Sequence, residues 1–272
     1  MHKGKIKLVA IDLDGTLLTS RKTISARTHR ALRGCMELGV RVVLATARPP
    51  RGVRDYYKAL KLATPQINYN GALIWDEGGR RVVEHLPLHM DRAWEVIRFA
   101  RRIYPEILVT VEILDKMYTD HFTDDPAYMT ETDKFFAPDY IGPLEAFLTV
   151  PATKVMLLGK PEWIAELERR IPAKFSKKVG HTRSDAWLLQ ILNPQVSKGG
   201  ALRSVAEKLH IEAAEVLAIG DAPNDMDMIV YAGVGVVVEN GWEGVKALAD
   251  HVVPSNDADG VAVALERWVL GG

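Results

Sequence analysis

Cysteine is almost missing from this 272-residue chain: Cys35 stands alone, so no internal disulfide can form and a disulfide-stapled scaffold is excluded. Charge of one sign is missing too, with 35 Lys+Arg against 35 Asp+Glu. A nucleic-acid binder usually carries a basic excess, so no nucleic-acid partner is expected, while small phosphorylated substrates stay open. Long hydrophobic runs are absent: the longest, Met228 to Val238, has 11 residues and contains two glycines. A spanning helix needs about 20, so no membrane partner is expected. Lys3, Lys5 and Lys7 precede an apolar run of four residues, Leu8 to Ile11. A signal peptide needs about 7–15, and the expected location is cytoplasmic. No solenoid period or low-complexity tract is visible, and nothing in the sequence reports the oligomeric state. What remains is ordinary for a folded protein, 47% hydrophobic and 26% charged.

Short Val- and Ile-rich runs alternate with helical patterns. The runs Leu8–Ile11, Val42–Ala45, Ile67–Tyr69, Val216–Ile219, Val234–Val238 and His251–Val253 are nearly continuous in hydrophobicity. Such strands suit a parallel sheet covered on both faces. Helices are expected over Ala26–Leu38, with Ser25 as N-cap and Gly39 past its end, over Gly199–Leu209 after Ser197, and over Val261–Leu270. The fold class is therefore α/β, with a Rossmann-like parallel-sheet core made of residues 1–86 and 191–272. Residues 87–190 read as an inserted α+β domain with an antiparallel sheet. Its helices are expected over Arg92–Tyr104 and Trp163–Ile171. Its strands are expected over Ile107–Ile113, Met117–Thr119, Val155–Leu158, Phe175–Val179 and Trp187–Leu192, with turns at Leu114-Asp115-Lys116 and Arg183-Ser184-Asp185. This insertion holds 14 basic and 16 acidic residues, so its overall charge is unremarkable.

Four pieces carry candidate chemistry. The first strand runs into Asp12-Leu13-Asp14-Gly15-Thr16, where carboxylates at i and i+2 of an extended chain lie on one side, about 6–7 Å apart. They stand at the carboxyl end of a strand, where open α/β sheets bind ligands. A bare Asp-x-Asp also suits an Asx turn, but the buried-type strand ahead and Gly15-Thr16 behind favour a site. The second strand ends in Thr46-Ala47-Arg48, a hydroxyl and following amides suited to a phosphoryl oxygen. Taken singly, Arg48 reads as a solvated charge. Lys198 opens a helix, where an ammonium and a helix N-terminus together favour an anion, although alone it reads as a surface lysine. The fourth piece, Gly220-Asp221-Ala222-Pro223-Asn224-Asp225, brings hard oxygen ligands of the kind Mg²⁺ prefers, or a capped turn, or both.

Taken jointly and in this order, the pieces resemble the four motifs of the haloacid dehalogenase-like hydrolase superfamily: Asp-x-Asp-Gly-Thr, then Thr, then Lys, then Gly-Asp-x-x-Asn-Asp. The long insertion between Thr46 and Lys198 looks like the cap of the Cof-type sugar-phosphatase branch. Val196-Ser197-Lys198-Gly199 and Asn70-Gly71-Ala72 look like that branch as well. Two departures stand out. Ala47 replaces a usual Gly and is tolerable where φ is negative. Ala222-Pro223 replaces a polar pair, and Pro223 offers no amide donor.

The resemblance implies Mg²⁺-dependent hydrolysis of phosphomonoesters through an aspartyl-phosphate. Asp12 is then the nucleophile and Asp14 the general acid and later base. Mg²⁺ is held by the Asp12 side chain, the Asp14 carbonyl, Asp221 and Asp225. The substrate phosphate is held by Thr46, Ala47, Lys198 and Asn224. A phosphomutase on sugar phosphates uses the same core, and a phospho-accepting signalling module of receiver type also combines Asp, Thr and Lys. The partner expected is a small phosphorylated metabolite, with sugar phosphates leading. Residues 112–139 hold eight acidic and two basic residues, plus Tyr118, Phe122, Tyr128, Phe135 and Phe136. They read as a sugar-facing segment or as a solvated loop with aromatics beneath it.

Overall fold

A computed structural model describes residues 6–121 and 137–271. It divides the chain into two compact units, Met1–Val83 with Ser197–Gly272, and Glu84–Val196. Along the chain the elements are β1 (Leu8–Ile11), α1 (Ala26–Glu37), β2 (Arg41–Leu44), α2 (Arg54–Ala59), β3 (Gln66–Asn68), β4 (Leu73–Asp76) and β5 (Arg81–His85). Next come α3 (Met90–Ile103), β6 (Leu108–Ile113), β7 (Lys116–Thr119), β8 (Tyr140–Ile141), β9 (Lys154–Leu158), α4 (Pro161–Phe175), β10 (Gly180–Asp185) and β11 (Leu188–Leu192). The chain closes with α5 (Lys198–Lys208), β12 (Val216–Gly220), α6 (Met226–Tyr231), β13 (Val234–Val238), α7 (Glu243–Lys246), β14 (His251–Val253) and α8 (Gly260–Leu265).

In the first unit the order β14-β13-β12-β1-β2 forms a sheet, and every pairing in it is parallel. Successive residues of each strand enter different cores. Val9, Ile11, Val42, Leu44, Leu217 and Ile219 pack with Leu32 of α1 and Leu265 of α8. Leu8, Ala10, Val43, Val216 and Ala218 pack with Leu202 and Val205 of α5 and Met228 of α6. A sheet buried on both faces has no solvent side, which is why its strands read as unbroken apolar runs. Ser25 caps α1 by accepting from the Thr28 amide at 3.1 Å, and Gly39 ends the turn at φ +82°.

One expected core strand lies elsewhere. Ile67–Tyr69 contributes to β3, which belongs to a separate sheet of order β3-β4-β5 in which β3 and β4 pair antiparallel. A single parallel bridge, Ala45 to Ile67, ties it to the end of β2. The cause is local: Tyr69 and Asn70 take φ of 52° and 57° and Gly71 takes +102°, so the chain folds back into a hairpin. Asn-Gly is a hairpin signal, and here it overrides the apolar run before it.

The second unit has a sheet of order β10-β11-β9-β6-β7-β8, antiparallel throughout except for the short β7–β8 pair. Helices α3 and α4 cover one face, packing Val96, Ile97, Ile164 and Leu167 on Val109, Val111, Val155, Leu157, Leu189 and Ile191. Two expectations are corrected here. Phe175–Val179 is no strand: Phe175 ends α4, Ser176–Lys178 make a 3₁₀ turn, and the strand starts at Gly180. Phe175 and Val179 are apolar because both feed the helix-side core. Nor is Arg183-Ser184-Asp185 the turn. It lies inside β10, where the register slips between Arg183 and Asp185, and the chain reverses at Ala186-Trp187. Of the acidic segment 112–139, residues 122–136 lie outside the described residues, while Tyr118 stacks on Phe147 with centroids 4.8 Å apart.

Candidate active site

The parallel register decides which residues meet. Ile11 pairs with Leu44 on one side and with Ile219 on the other. Asp12 donates its amide to the Ile219 carbonyl at 3.0 Å, and Ala45 donates to Ile11 at 2.9 Å. The next residues along the three strands, Asp12 with Thr46 and Asp221 close behind, therefore emerge together at the carboxyl edge of the sheet.

Lys198 is the centre of the arrangement. Its side chain is wholly buried, and its ammonium donates to Asp12 Oδ1 at 2.5 Å and to Asp225 Oδ1 at 2.6 Å. The reading of this residue as a surface lysine fails because α5 begins at Lys198 and packs against the sheet through Ala201, Leu202 and Val205. Ser197 caps that helix by accepting from the Gly200 amide at 3.0 Å. Asp225 is engaged on both oxygens, since Oδ2 accepts the amides of Asp221 and Ala222 at 3.0 Å each. Asp221 accepts from the Thr16 hydroxyl at 2.7 Å.

Close approach explains two glycines. Gly15 takes φ +85°, and a Cβ there would stand 2.7 Å from Asp221 Oδ2. A Cβ on Gly220 would stand 2.6 Å from Cβ of Asp225. Gly15 is thus needed where the two acidic loops face each other, and Gly220 where the second loop turns back on its own Asp225.

Carboxylate oxygens of Asp12, Asp221 and Asp225 lie within 4.8 Å of one another. Burial drives the Asp12 carboxyl well above the ordinary range, against the pull of Lys198, with Asp225 and Asp221 adding repulsion. Burial likewise raises Asp221, opposed by the Thr16 hydrogen bond. Lys198 is pushed up despite burial, because Asp12 and Asp225 both favour its charge. Three crowded carboxylates against one ammonium leave negative charge uncompensated in a dry site. Hard oxygen donors in that condition fit a divalent cation.

Asp14 faces another way. Arg48 grips it bidentately, Nε to Oδ2 at 2.7 Å and Nη2 to Oδ1 at 2.6 Å, and Lys22 reaches Oδ1 at 2.7 Å. Partial burial works against the carboxylate, but the Arg48 and Lys22 contacts outweigh it and hold Asp14 below its usual range. Arg48 is thus no free solvated charge: its Nη1 also donates to the Gly52 carbonyl at 3.2 Å, and its guanidinium lies 5.7 Å from the Tyr56 ring centre. Its place two residues past Thr46 at a strand end was the one available signal. Thr46 is buried and its hydroxyl accepts the Arg48 amide at 3.2 Å. Ala47 takes a negative φ, so the missing glycine costs no backbone strain. Asn224 donates its side-chain amide to Asn70 Oδ1 at 2.9 Å, which ties the left-handed Asn70 turn to the Pro223–Asp225 loop. Sequence reading also overlooked Asn240, whose side-chain amide holds the Gly15 carbonyl at 2.8 Å.

A parallel sheet with an aspartate at its edge held by a buried lysine is the setting in which the chain can be compared with known proteins. The haloacid dehalogenase-like hydrolase family model covers residues 9–265, and the chain belongs to that family, in its Cof-type branch. It is a phosphoric monoester hydrolase. The Bacillus subtilis protein YxeH is 34% identical over 274 residues, spanning 97% of this chain and 98% of that one. YcsE of the same organism, a 5-amino-6-(5-phospho-D-ribitylamino)uracil phosphatase, is 31% identical over 268 residues, spanning 97% and 96%. A crystal structure of a haloacid dehalogenase-like hydrolase from Bacteroides thetaiotaomicron superposes with a TM-score of 0.86 at 29% identity, covering 97% of this chain and 99% of that one. Among the described residues, no helix is long and apolar enough to cross a membrane.

Proposed function

We propose that the chain hydrolyses small phosphomonoesters through an aspartyl-phosphate on Asp12, with Mg²⁺ as the cation and phosphorylated sugars or sugar alcohols as the substrate class. The observation that supports this best is the buried Lys198 ammonium held between Asp12 and Asp225. It holds Asp12 through Oδ1, so Oδ2 is the oxygen that would attack. Asp12, Asp221 and Asp225, with the Asp14 carbonyl, are the residues that would hold Mg²⁺, which when bound offsets the repulsion between carboxylate and phosphate.

The chemistry balances over two displacements. In the first, the free Asp12 oxygen forms a bond to phosphorus as the ester P–O bond breaks, and the leaving oxygen takes a proton from Asp14. Lys198 keeps its charge beside the transferring oxygens, and Thr46, the Ala47 amide and Asn224 steady them. In the second, the Asp14 carboxylate takes a proton from water, the water oxygen joins phosphorus, and the Asp12–phosphorus linkage breaks to release phosphate. The Arg48 pair favours the base form needed in this second half. Asp14 must loosen that pair to take up the proton it gives in the first half.

YcsE and YitU are curated as phosphatases of a compound that carries a phosphorylated ribityl chain. The phosphorylated part of that compound is a sugar-alcohol chain, the kind of phosphate ester proposed here. The test is phosphate release over about a hundred phosphorylated metabolites, with and without EDTA. Turnover that needs Mg²⁺ and Asp12 and favours small phosphosugars supports the reading. Full activity after metal removal, verified by elemental analysis, refutes it.

A further inference from the structure

The Glu84–Val196 unit has a cavity of about 420 Å³ that this chemistry does not use. Arg92, Arg98 and Arg102 of α3 line it, with Lys174 at the end of α4 and Lys178 just beyond. Glu95 is the one carboxylate among the lining residues, and Arg92 already pairs with it. The imbalance is local, because residues 87–190 as a whole carry 14 basic against 16 acidic residues.

Structural duty accounts for some of these cations. Arg98 lies 5.4 Å from the Trp94 ring centre, and Lys174 lies 5.0 Å from that of Phe99. Basic residues in the last turn of a helix also complement its dipole, which covers Arg102 and Lys174. The dipole does not explain Arg92, in the first turn of α3, where a positive charge is unfavourable. Arg98 and Arg102, like charges at i and i+4 of that helix, also repel one another. Arg102 and Lys178 are exposed and have no acidic partner among the described residues. The charge is therefore concentrated at some cost to the fold, around a concave space.

We propose that this cavity binds a small free polyanion with two or more linked phosphoryl groups. Arginine forks match phosphoryl oxygens. Arg92 and Arg102 stand ten residues apart on one helix, about 15 Å along its axis, too far for one phosphate to meet both ends. A short chain of phosphoryl groups covers part of that distance, and the long, flexible arginine side chains can cover the rest.

The experiment is calorimetric titration of the full-length protein in EDTA at low salt. Without a cation the active-site carboxylates repel anions, so binding there does not mask the cavity. Sodium tripolyphosphate is expected to bind saturably at one site per chain, about tenfold tighter than inorganic phosphate. Arg102→Gln with Lys178→Gln is expected to weaken it about tenfold, while Arg102→Lys with Lys178→Arg retains it. Hydrolysis of p-nitrophenyl phosphate without tripolyphosphate stays unchanged in both variants, which shows that they fold. ATP distinguishes the source: affinity equal to tripolyphosphate assigns recognition to the phosphate chain, and tighter binding assigns it to a nucleotide. The proposal is overturned if tripolyphosphate shows no saturable binding at millimolar concentration, if the Gln variants bind undiminished, or if phosphate binds as tightly. A single-stranded oligonucleotide binding far more tightly than tripolyphosphate would overturn the small-ligand assignment as well.

Discussion

The five-stranded and six-stranded sheets of this protein handle buried charge differently. In the parallel sheet β14-β13-β12-β1-β2 the strand interiors are apolar and chemistry waits beyond the strand ends, where Asp12, Lys198 and Asp225 are crowded together. In the Glu84–Val196 unit, Glu112 and Lys154 lie within the sheet itself, on paired strands β6 and β9, buried and 3.1 Å apart. Thr110 and Gln190 share that placement. A parallel sheet covered by helices on both faces can offer chemistry only at its edge. An antiparallel sheet with helices on one face can carry polar side chains anywhere on the other. The crowding differs as well: Glu112 and Lys154 form an ion pair across neighbouring strands, whereas three carboxylates gather around Lys198.

Four substitutions and one pH comparison test that contrast. The largest effect is expected from Asp12→Asn, which removes the nucleophile and should lower kcat by about 10⁶-fold. It also relieves a buried charge among like charges, so its melting temperature should stay level or rise. A clear loss of stability would show that the cluster is structural, like the Glu112–Lys154 pair. Asp14→Asn comes next, with a loss of about 10²–10⁴-fold on sugar phosphates and a smaller one on p-nitrophenyl phosphate, whose leaving group needs no proton. Equal losses on both substrates would remove Asp14 from the acid role. Lys198→Met strands Asp12 and Asp225, and chemical denaturation should show a loss of about 3–5 kcal/mol as well as lost turnover. Gly15→Ala forces a Cβ towards Asp221 at φ +85°. It should cost about 1–3 kcal/mol, with a disproportionate fall in activity because Asp221 must move.

The smallest effect concerns pH. Burial lowers the His85 pKa below its unfolded value of about 6.5. Below that pH the unfolded chain binds a proton that the folded chain resists, so this residue costs stability as pH falls. His85→Gln should therefore lose less stability than the parent between pH 8 and pH 5, read from denaturation midpoints. An identical decline in both would locate the acid sensitivity elsewhere.

Much of the site was legible because parallel strands advertise themselves. Each unbroken apolar run ends where a side chain is released to the sheet edge, so Asp12, Thr46 and Asp221 could be marked from the runs before them. Lys198 and Arg48 were harder. A lysine at a helix start and an arginine past a strand look solvated until their distant partners are known, and those partners lie 186 and 34 residues away. Phe175–Val179 misled because apolar residues at a helix end and after it can face one core without forming a strand. Ile67–Tyr69 misled because a hairpin turn decided its pairing.

By itself, then, the sequence determined the local terms: strand and helix periodicity, the Ser25 and Ser197 caps, the glycine that lets the Gly220–Asp225 loop close on itself, and the acidic residues at strand ends. These depend on neighbours a few residues away. Tertiary structure alone decided that Lys198 is buried between Asp12 and Asp225, and that Asp14 is turned towards Arg48 and Lys22. It alone brought five cations of the second unit around one cavity. Charge interactions act through space and grow as water is excluded, so they are settled only when the packing that excludes it is complete.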